Sequence, residues 1–280
     1  MSRLQVLGAA VLFSTGGAAI KATDFNNWQV AAFRSAIAAA AILALLPAAR
    51  RLRDWRIWLV AAAYAITLIA FVTANKLTTA ANAIFLQDTA PLYLLLASPW
   101  LLKEHVSRRD LAVLGVMAAG MALFFVGEQR ASATAPDPMK GNIVAVVSAV
   151  TWAVTIGGLR WLESRQTGGE PGMATVALGN TMALLLCLPL ALPVTGAVAR
   201  DWAAVIYLGL FQVGLAYVLL TRGVRHVPAF EVSLLILVEP ALNPLWAGFM
   251  HGEWPGVAAG VGGALILGAS AWQMLLRRGG

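Results

Sequence analysis

Ten stretches of mostly apolar residues follow one another along this chain, at roughly 4–22, 28–48, 57–77, 80–102, 108–127, 141–161, 174–195, 202–222, 228–250 and 254–276. Together they use nearly the whole polypeptide. Hydrophobic residues make up 60% of the sequence and charged residues 12%, about half the ~25% of a soluble domain. A soluble protein of 280 residues cannot hide so much apolar surface. In lipid, a spanning helix needs about 20 such residues. Barrel strands would alternate with period two over about ten residues; these stretches are longer and continuously apolar. The fold expected is all-α and integral to the membrane, with ten transmembrane helices. Arg3 ahead of the first stretch suggests a signal peptide, but no clear cleavage site ends it and nine comparable stretches follow.

The net charge of +7 invites a nucleic-acid reading, and its distribution argues against one. With the N-terminus in the cytoplasm, the inside segments hold 14 of the 20 basic residues, among them Arg50, Arg51, Arg53 and Arg56. The outside segments hold five: Lys21, Lys76, Arg130, Lys140 and Arg200. Arg34 lies within a span. That bias is the positive-inside rule, so the localisation expected is a bacterial inner membrane with both termini cytoplasmic. The single cysteine, Cys187, excludes an intramolecular disulfide and a cysteine-built metal site. No cofactor is expected. His105, His226 and His251 fall in different connections, and no zinc-protease, serine-hydrolase or phosphate-loop motif occurs. The chain reads as no enzyme.

The most polar interruption, "GEQRASATAPDPMKGN", falls at the midpoint. It divides the chain into residues 1–127, an extracytoplasmic linker at 128–140, and residues 141–280. The two halves share intervals. Ala80, Pro91 and Glu104 are spaced by 11 and 13, and so are Ala229, Pro240 and Glu253. A base precedes each alanine by four, Lys76 or Arg225. Phe13 precedes Lys21 by eight, as Trp152 precedes Arg160. Glycine-rich spans, "GVMAAGMALFFVG" and "GVGGALILG", follow the two glutamates. A duplication with an odd number of spans per copy inverts the second copy, a common transporter plan with the binding site near mid-membrane between the repeats.

On these motifs, and on "EPALNPLWAGFMHGE" itself, the chain resembles the EamA-type transporters of the drug/metabolite transporter superfamily, and among them the aromatic amino-acid exporter branch. The resemblance covers essentially the whole chain. It implies two inverted five-helix repeats around a central cavity and export from the cytoplasm. This sequence departs from the family pattern at Phe13, where a tryptophan is frequent, and at "KEH" and "HGE", where "LGE" is usual.

Particular residues carry the expected chemistry. Glu239, Asn243, Trp246 and Met250 fall on one helical face, and a polar stripe on a spanning helix should face the bundle interior. Pro240 and Pro244 each remove a backbone donor, and the freed carbonyls must be buried in protein or face water. Pro91 does the same in the first half; all three prolines are candidate hinges, with a fixed kink the plainer alternative. Gln87 and Asp88 precede Pro91, with Asp88 two positions off the register of Glu239. Asn75, Thr79 and Asn82 surround the connection between the third and fourth spans, either as a polar lip at the outer mouth or as caps, with Thr78 or Thr79 as N-cap and Pro228 in the matching role. Ser14 lies in the first span. Ser148, Trp152 and Thr155 share a face of the sixth. Trp152, Tyr93, Tyr217 and Trp246 are candidate stacking surfaces, with plain packing as the alternative. Tyr64, Trp55, Trp58, Trp100, Trp161 and Trp202 read as interfacial belt residues, and Arg34 as a residue near the outer surface that snorkels or pairs with an acid.

The function expected is export of amino acids, aromatic and other apolar side chains favoured, by alternating access. The partners are the small-molecule substrate and the lipid bilayer, with no nucleic acid, and one monomer suffices to enclose a pathway. The alternatives are export of drugs or phosphorylated sugars, and an intramembrane enzyme pairing Asp88 with Glu239.

Overall fold

The computed structural model describes residues 2–50, 54–101, 108–126, 131–163, 171–224, 227 and 235–277. Among them every extended regular element is helical: α1 (Ser2–Ser14), α2 (Gly16–Lys21), α3 (Asn27–Leu45), α4 (Arg56–Leu77), α5 (Ala80–Gln87), α6 (Ala90–Leu101), α7 (Arg108–Leu123), α8 (Pro138–Glu163), α9 (Pro171–Ala191), α10 (Ala199–Tyr207), a π-helical segment (Leu208–Leu215), α11 (Ala216–Val224), α12 (Val238–His251) and α13 (Val257–Arg277). Lys103, Glu104, His105, Arg225, His226 and Pro228 lie outside the described residues.

Six described segments are long and apolar enough to cross a membrane: Ser2–Lys21, Asn27–Leu45, Arg56–Leu77, Pro138–Leu159, Pro171–Ala191 and Ala199–Leu220, with Val257–Trp272 a shorter apolar helix. The 22 residues of α4 rise about 33 Å, close to the ~30 Å hydrocarbon core. The outer surface is apolar: Leu185 and Leu186 are 62% and 61% exposed, and Phe249 is 74% exposed. Polar side chains such as Asn142, Asn180 and Asn243 are buried instead. Outward leucines over inward asparagines suit lipid as solvent.

Local chemistry explains where helices break. Ser14 and Thr15 bond back to the carbonyls of Val11 and Leu12, which competes with the helical ladder and separates α1 from α2. Pro91 has no N–H for the Gln87 carbonyl, and α5 gives way to α6 through a turn at Asp88 and Thr89. Pro240 leaves the Ile236 carbonyl in the same position, and the turn at Leu237 precedes α12. Asn26 and Gln29 form a capping box at the start of α3. Of the two threonines expected at the α5 cap, Thr79 accepts from the Asn82 amide, and Thr78 turns to Asn142.

The packing is a bundle in which α4 lies against α8 and α9, and α3 against α9 and the π segment. Helix α1 lies against α11 and α12, α5 and α6 against α8, and α7 against α13. The α7–α13 crossing depends on glycine. A Cβ at Gly262 would stand 2.7 Å from the Gly120 carbonyl oxygen, and one at Gly120 2.9 Å from that of Gly262. Neither backbone can yield cheaply. Gly262→Val should cost about 1–3 kcal/mol and lower the melting temperature in detergent. Gly268→Ala, on the same helix with nothing within 4 Å, should leave it unchanged or raise it. Equal melting temperatures for the two variants would refute this account of the crossing.

Candidate functional site

A cavity of about 150 Å³ opens among the middles of the helices, room for on the order of ten waters. Phe13 reaches it from α1, Arg34 from α3, and Tyr64, Thr67, Leu68 and Phe71 from α4. Ile84, Gln87 and Asp88 come from the end of α5, and Trp152 from α8. Gln212, Val213, Tyr217 and Leu220 come from the π segment and α11, and Ile236 and Glu239 from the start of α12. The two carbonyls that Pro91 and Pro240 leave without helical donors belong to Gln87 and Ile236, both lining residues. The helix breaks therefore put loosened backbone at the cavity wall, one of the places lipid permits it.

Aromatic rings form much of the wall. Tyr64 and Tyr217 stand 6.0 Å apart between centroids, Tyr64 and Trp152 6.3 Å, and Phe13 and Tyr217 5.2 Å. Charges interrupt that wall. Arg34 is 1% exposed and its Nη2 donates to the Leu68 carbonyl at 3.1 Å. Its Nε has no partner. Asp88 Oδ2 is likewise buried without a hydrogen bond. Asp88 and Glu239 line the same cavity.

Of the residues singled out from sequence, Gln87, Asp88, Trp152, Tyr217 and Glu239 meet at this cavity. The other candidate substrate-binding residues lie outside its lining. Ser14 Oγ accepts from Trp246 Nε1 at 2.9 Å, tying α1 to α12. Asn243 is fully buried, facing the position of Gly17, and neither its Oδ1 nor its Nδ2 has a partner. Met250, on the same stripe as Glu239, is 59% exposed, and neighbouring His251 contacts the Ala18 carbonyl. Ser148 leans on the Thr67 carbonyl, and Thr155 bonds back to Thr151. Tyr93 rests its hydroxyl on Met121 of α7. Pro240 and Pro244 are buried in α12, and Pro91 is half-buried in the first turn of α6.

Two sequence expectations change. Arg34 does not lie near an outer surface, because it stands on the face of α3 turned to α4, where it is 1% exposed and bonded to the Leu68 carbonyl; it is a lining residue. Tyr64 is not a belt residue. Its ring is buried against α9, where a Cβ at Gly179 would come within 2.5 Å of it. Trp55, Trp58 and Trp202 do keep 65%, 48% and 40% exposure. Gln212 was missed altogether. It lies in a π-helical turn, a feature common at functional sites but without a residue signature.

A second polar cluster lies at one end of the bundle, away from the cavity. Lys21 and Glu253 form an ion pair of 3.1 Å, with their side chains 2% and 6% exposed. Glu253 also accepts from the Ala80 amide at the start of α5, and Lys21 donates to the carbonyls of Thr78 and Thr134. Asn82 and Thr78 both donate to Asn142 Oδ1, whose amide reaches the Phe124 carbonyl. Asn75, also buried, bonds to the Phe71 carbonyl. Beside them, buried Asp201 accepts from Thr23 Oγ1 and from the amides of Asp24 and Val198. Asn75, Thr79 and Asn82 thus belong to a stitched end of the bundle.

A multi-pass helical membrane protein with a chemically mixed cavity among its helices is the architecture of a membrane transporter. The family comparison agrees: the chain belongs to the EamA-like transporter family, whose model matches residues 2–126 and 139–274. It is 28% identical over 213 residues to the aromatic amino acid exporter YddG of Ancylobacter novellus, across 74% of this chain and 71% of that one. It is 29% identical over 175 residues to the threonine/homoserine exporter RhtA of Escherichia coli K12, across 61% of this chain but only 54% of the exporter's length. A solved crystal structure matches its fold with a TM-score of 0.66 and 24% identity, covering 99% of this chain and 97% of the other.

Proposed function

We propose that this protein exports amino acids from the cytoplasm, with aromatic and other apolar side chains favoured, by alternating access through the central cavity. The observation that carries the reading is the ring-lined cavity at mid-depth, into which Trp152, Tyr64, Tyr217 and Phe13 project. Aromatic faces suit apolar and aromatic side chains. The names of the two exporter relatives point the same way.

The proposed framework is ten spans in two inverted repeats, residues 1–127 and 141–280, joined by an extracytoplasmic linker at 128–140. The packing supports it. Exchanging the halves turns the α4–α8 contact into α11–α1, α4–α9 into the π segment against α3, and α5–α8 into α12–α1; α3–α9 and α7–α13 map onto themselves. The helix breaks correspond too, since Asp88 and Leu237 each stand three residues before their prolines. The charge bias supports cytoplasmic termini in a bacterial inner membrane, which puts the stitched end of the bundle on the outside. Pro91, Pro240 and Pro244 are the proposed hinges. Ser14, Asn75, Thr79, Asn82, Tyr93, Ser148, Thr155, Asn243 and Trp246 lie outside the cavity lining and would enter the pathway as the bundle rocks. One copy of the chain suffices for the pathway.

A phosphorylated sugar fits less well. Phosphate oxygens call for several charge-assisted donors, whereas this lining presents Arg34 against two carboxyls. The transporter relatives support transport over acid–base chemistry by Asp88 and Glu239. Counterflow in proteoliposomes decides the substrate class: labelled tryptophan or threonine should exchange, and a nucleotide sugar should not compete. Competition by the sugar alone, or no movement of either amino acid, would overturn the reading.

A further inference from the structure

We infer that the cavity is a receptor for a zwitterion, in which the Arg34 guanidinium takes the α-carboxylate of an amino acid while Asp88 and Glu239 take its ammonium group. This rests on the cavity being the substrate site proposed above, and it specifies the chemistry by which that site recognises its ligand.

The case begins with what Arg34 lacks. A guanidinium carries five N–H donors in a rigid fork, and a buried charge is normally paired. Arg34 is 1% exposed, yet among the described residues its one hydrogen bond goes to a backbone carbonyl and its Nε is free. The acids of the same cavity are equally unspent. Asp88 Oδ2 is buried without a partner, and no hydrogen bond to Glu239 occurs among the described residues. Neither acid forms an ion pair with Arg34. Tyr217 lines the same cavity as Arg34 and the two acids.

A guanidinium and carboxyls that share one small cavity without pairing leave buried polar groups unsatisfied unless something else completes both. Had burial alone been required, a direct Arg–carboxylate pair would have met it more cheaply. A ligand with a carboxylate beside an ammonium completes both sets at once. The guanidinium fork matches a carboxylate in bidentate fashion, and two acids close to each other suit one small cation. The aromatic rings of the same lining then face the side chain. A cationic drug would leave Arg34 unsatisfied and repelled. An anion would leave the acids so.

The test uses the full chain, purified and reconstituted, with counterflow of labelled tryptophan as readout. Three competitors share the indole: tryptophan, tryptamine without the carboxylate, and indole-3-propionate without the ammonium. Leucine, isoamylamine and 4-methylvalerate repeat the set for an aliphatic substrate against labelled leucine. Each intact amino acid should compete at least roughly tenfold better than either truncated form, as expected for losing a charge-assisted hydrogen bond. Arg34→Gln should weaken tryptophan and indole-3-propionate and leave tryptamine unchanged. Equal competition by all three on the unaltered protein, or equal weakening of all three by Arg34→Gln, overturns the inference while export of amino acids stands. If neither amino acid moves, the inference falls together with the proposed function. If Arg34→Gln does not fold, the analogue series on the unaltered protein still decides.

Discussion

Lys21→Met should destabilise the stitched end of the bundle more than any other single change in the polar network, and should expose that end to solvent. The Lys21 ammonium is almost wholly buried, 3.1 Å from Glu253, and holds two backbone carbonyls besides. Removing it leaves Glu253 buried with the Ala80 amide as its remaining described partner. Breaking a buried pair from one side costs about 3–5 kcal/mol. If this cluster forms only when that end is closed, the cost falls on one of two alternating states and moves the equilibrium by roughly two to four powers of ten. The check is labelling of a single cysteine introduced at Thr134, in a Cys187→Ala background, with a membrane-impermeant thiol reagent. Labelling should accelerate strongly in Lys21→Met. It should return toward its original rate in Lys21→Met with Glu253→Leu, which removes the stranded charge. A lower melting temperature with unchanged labelling would mean that the pair is a static brace and would remove it from the gating account.

The membrane fold was legible because lipid imposes a demand on composition that no folding detail can disguise. Long uncharged stretches and a lopsided arginine distribution are readable residue by residue. The polar and aromatic residues nearest the prolines were legible for a related reason: Gln87, Asp88 and Glu239 sit where the ladder is broken, and a carboxyl there needs a wet wall. What the sequence left hidden depends on depth and rotation. Arg34 and Tyr64 are hidden from a linear reading because position within a span does not say which way a side chain faces, and both face inward. Gln212 needed the π segment to be seen. Asn82, Asn142 and Asn243 raise a different difficulty. A buried amide must find a partner, and composition cannot say whether that partner is another helix or the substrate. Asn82 and Asn142 found each other, whereas Asn243 has found none among the described residues.

Asp88→Asn and Glu239→Gln should each depress amino-acid counterflow by roughly ten- to a hundredfold, and the double variant should lose much less than the product of the two. The reason lies in shared function. Both carboxyls line one cavity. If both serve a single ammonium group, the first substitution already removes most of what the second would remove. Hydrogen bonds to charged groups contribute about 1.5–3 kcal/mol each, and groups sharing a partner show coupling of about 0.5–3 kcal/mol. The amide replacements keep side-chain size and hydrogen-bonding capacity, so a cavity shaped only by packing would tolerate them. A double-mutant cycle on tryptophan counterflow under saturating internal substrate separates the cases. Strict additivity would mean that the two acids act at different steps, one on the ligand and one on the helix break at Asp88. Unchanged transport in all three variants would mean that neither acid meets substrate, and the cavity's charge would then serve the fold alone.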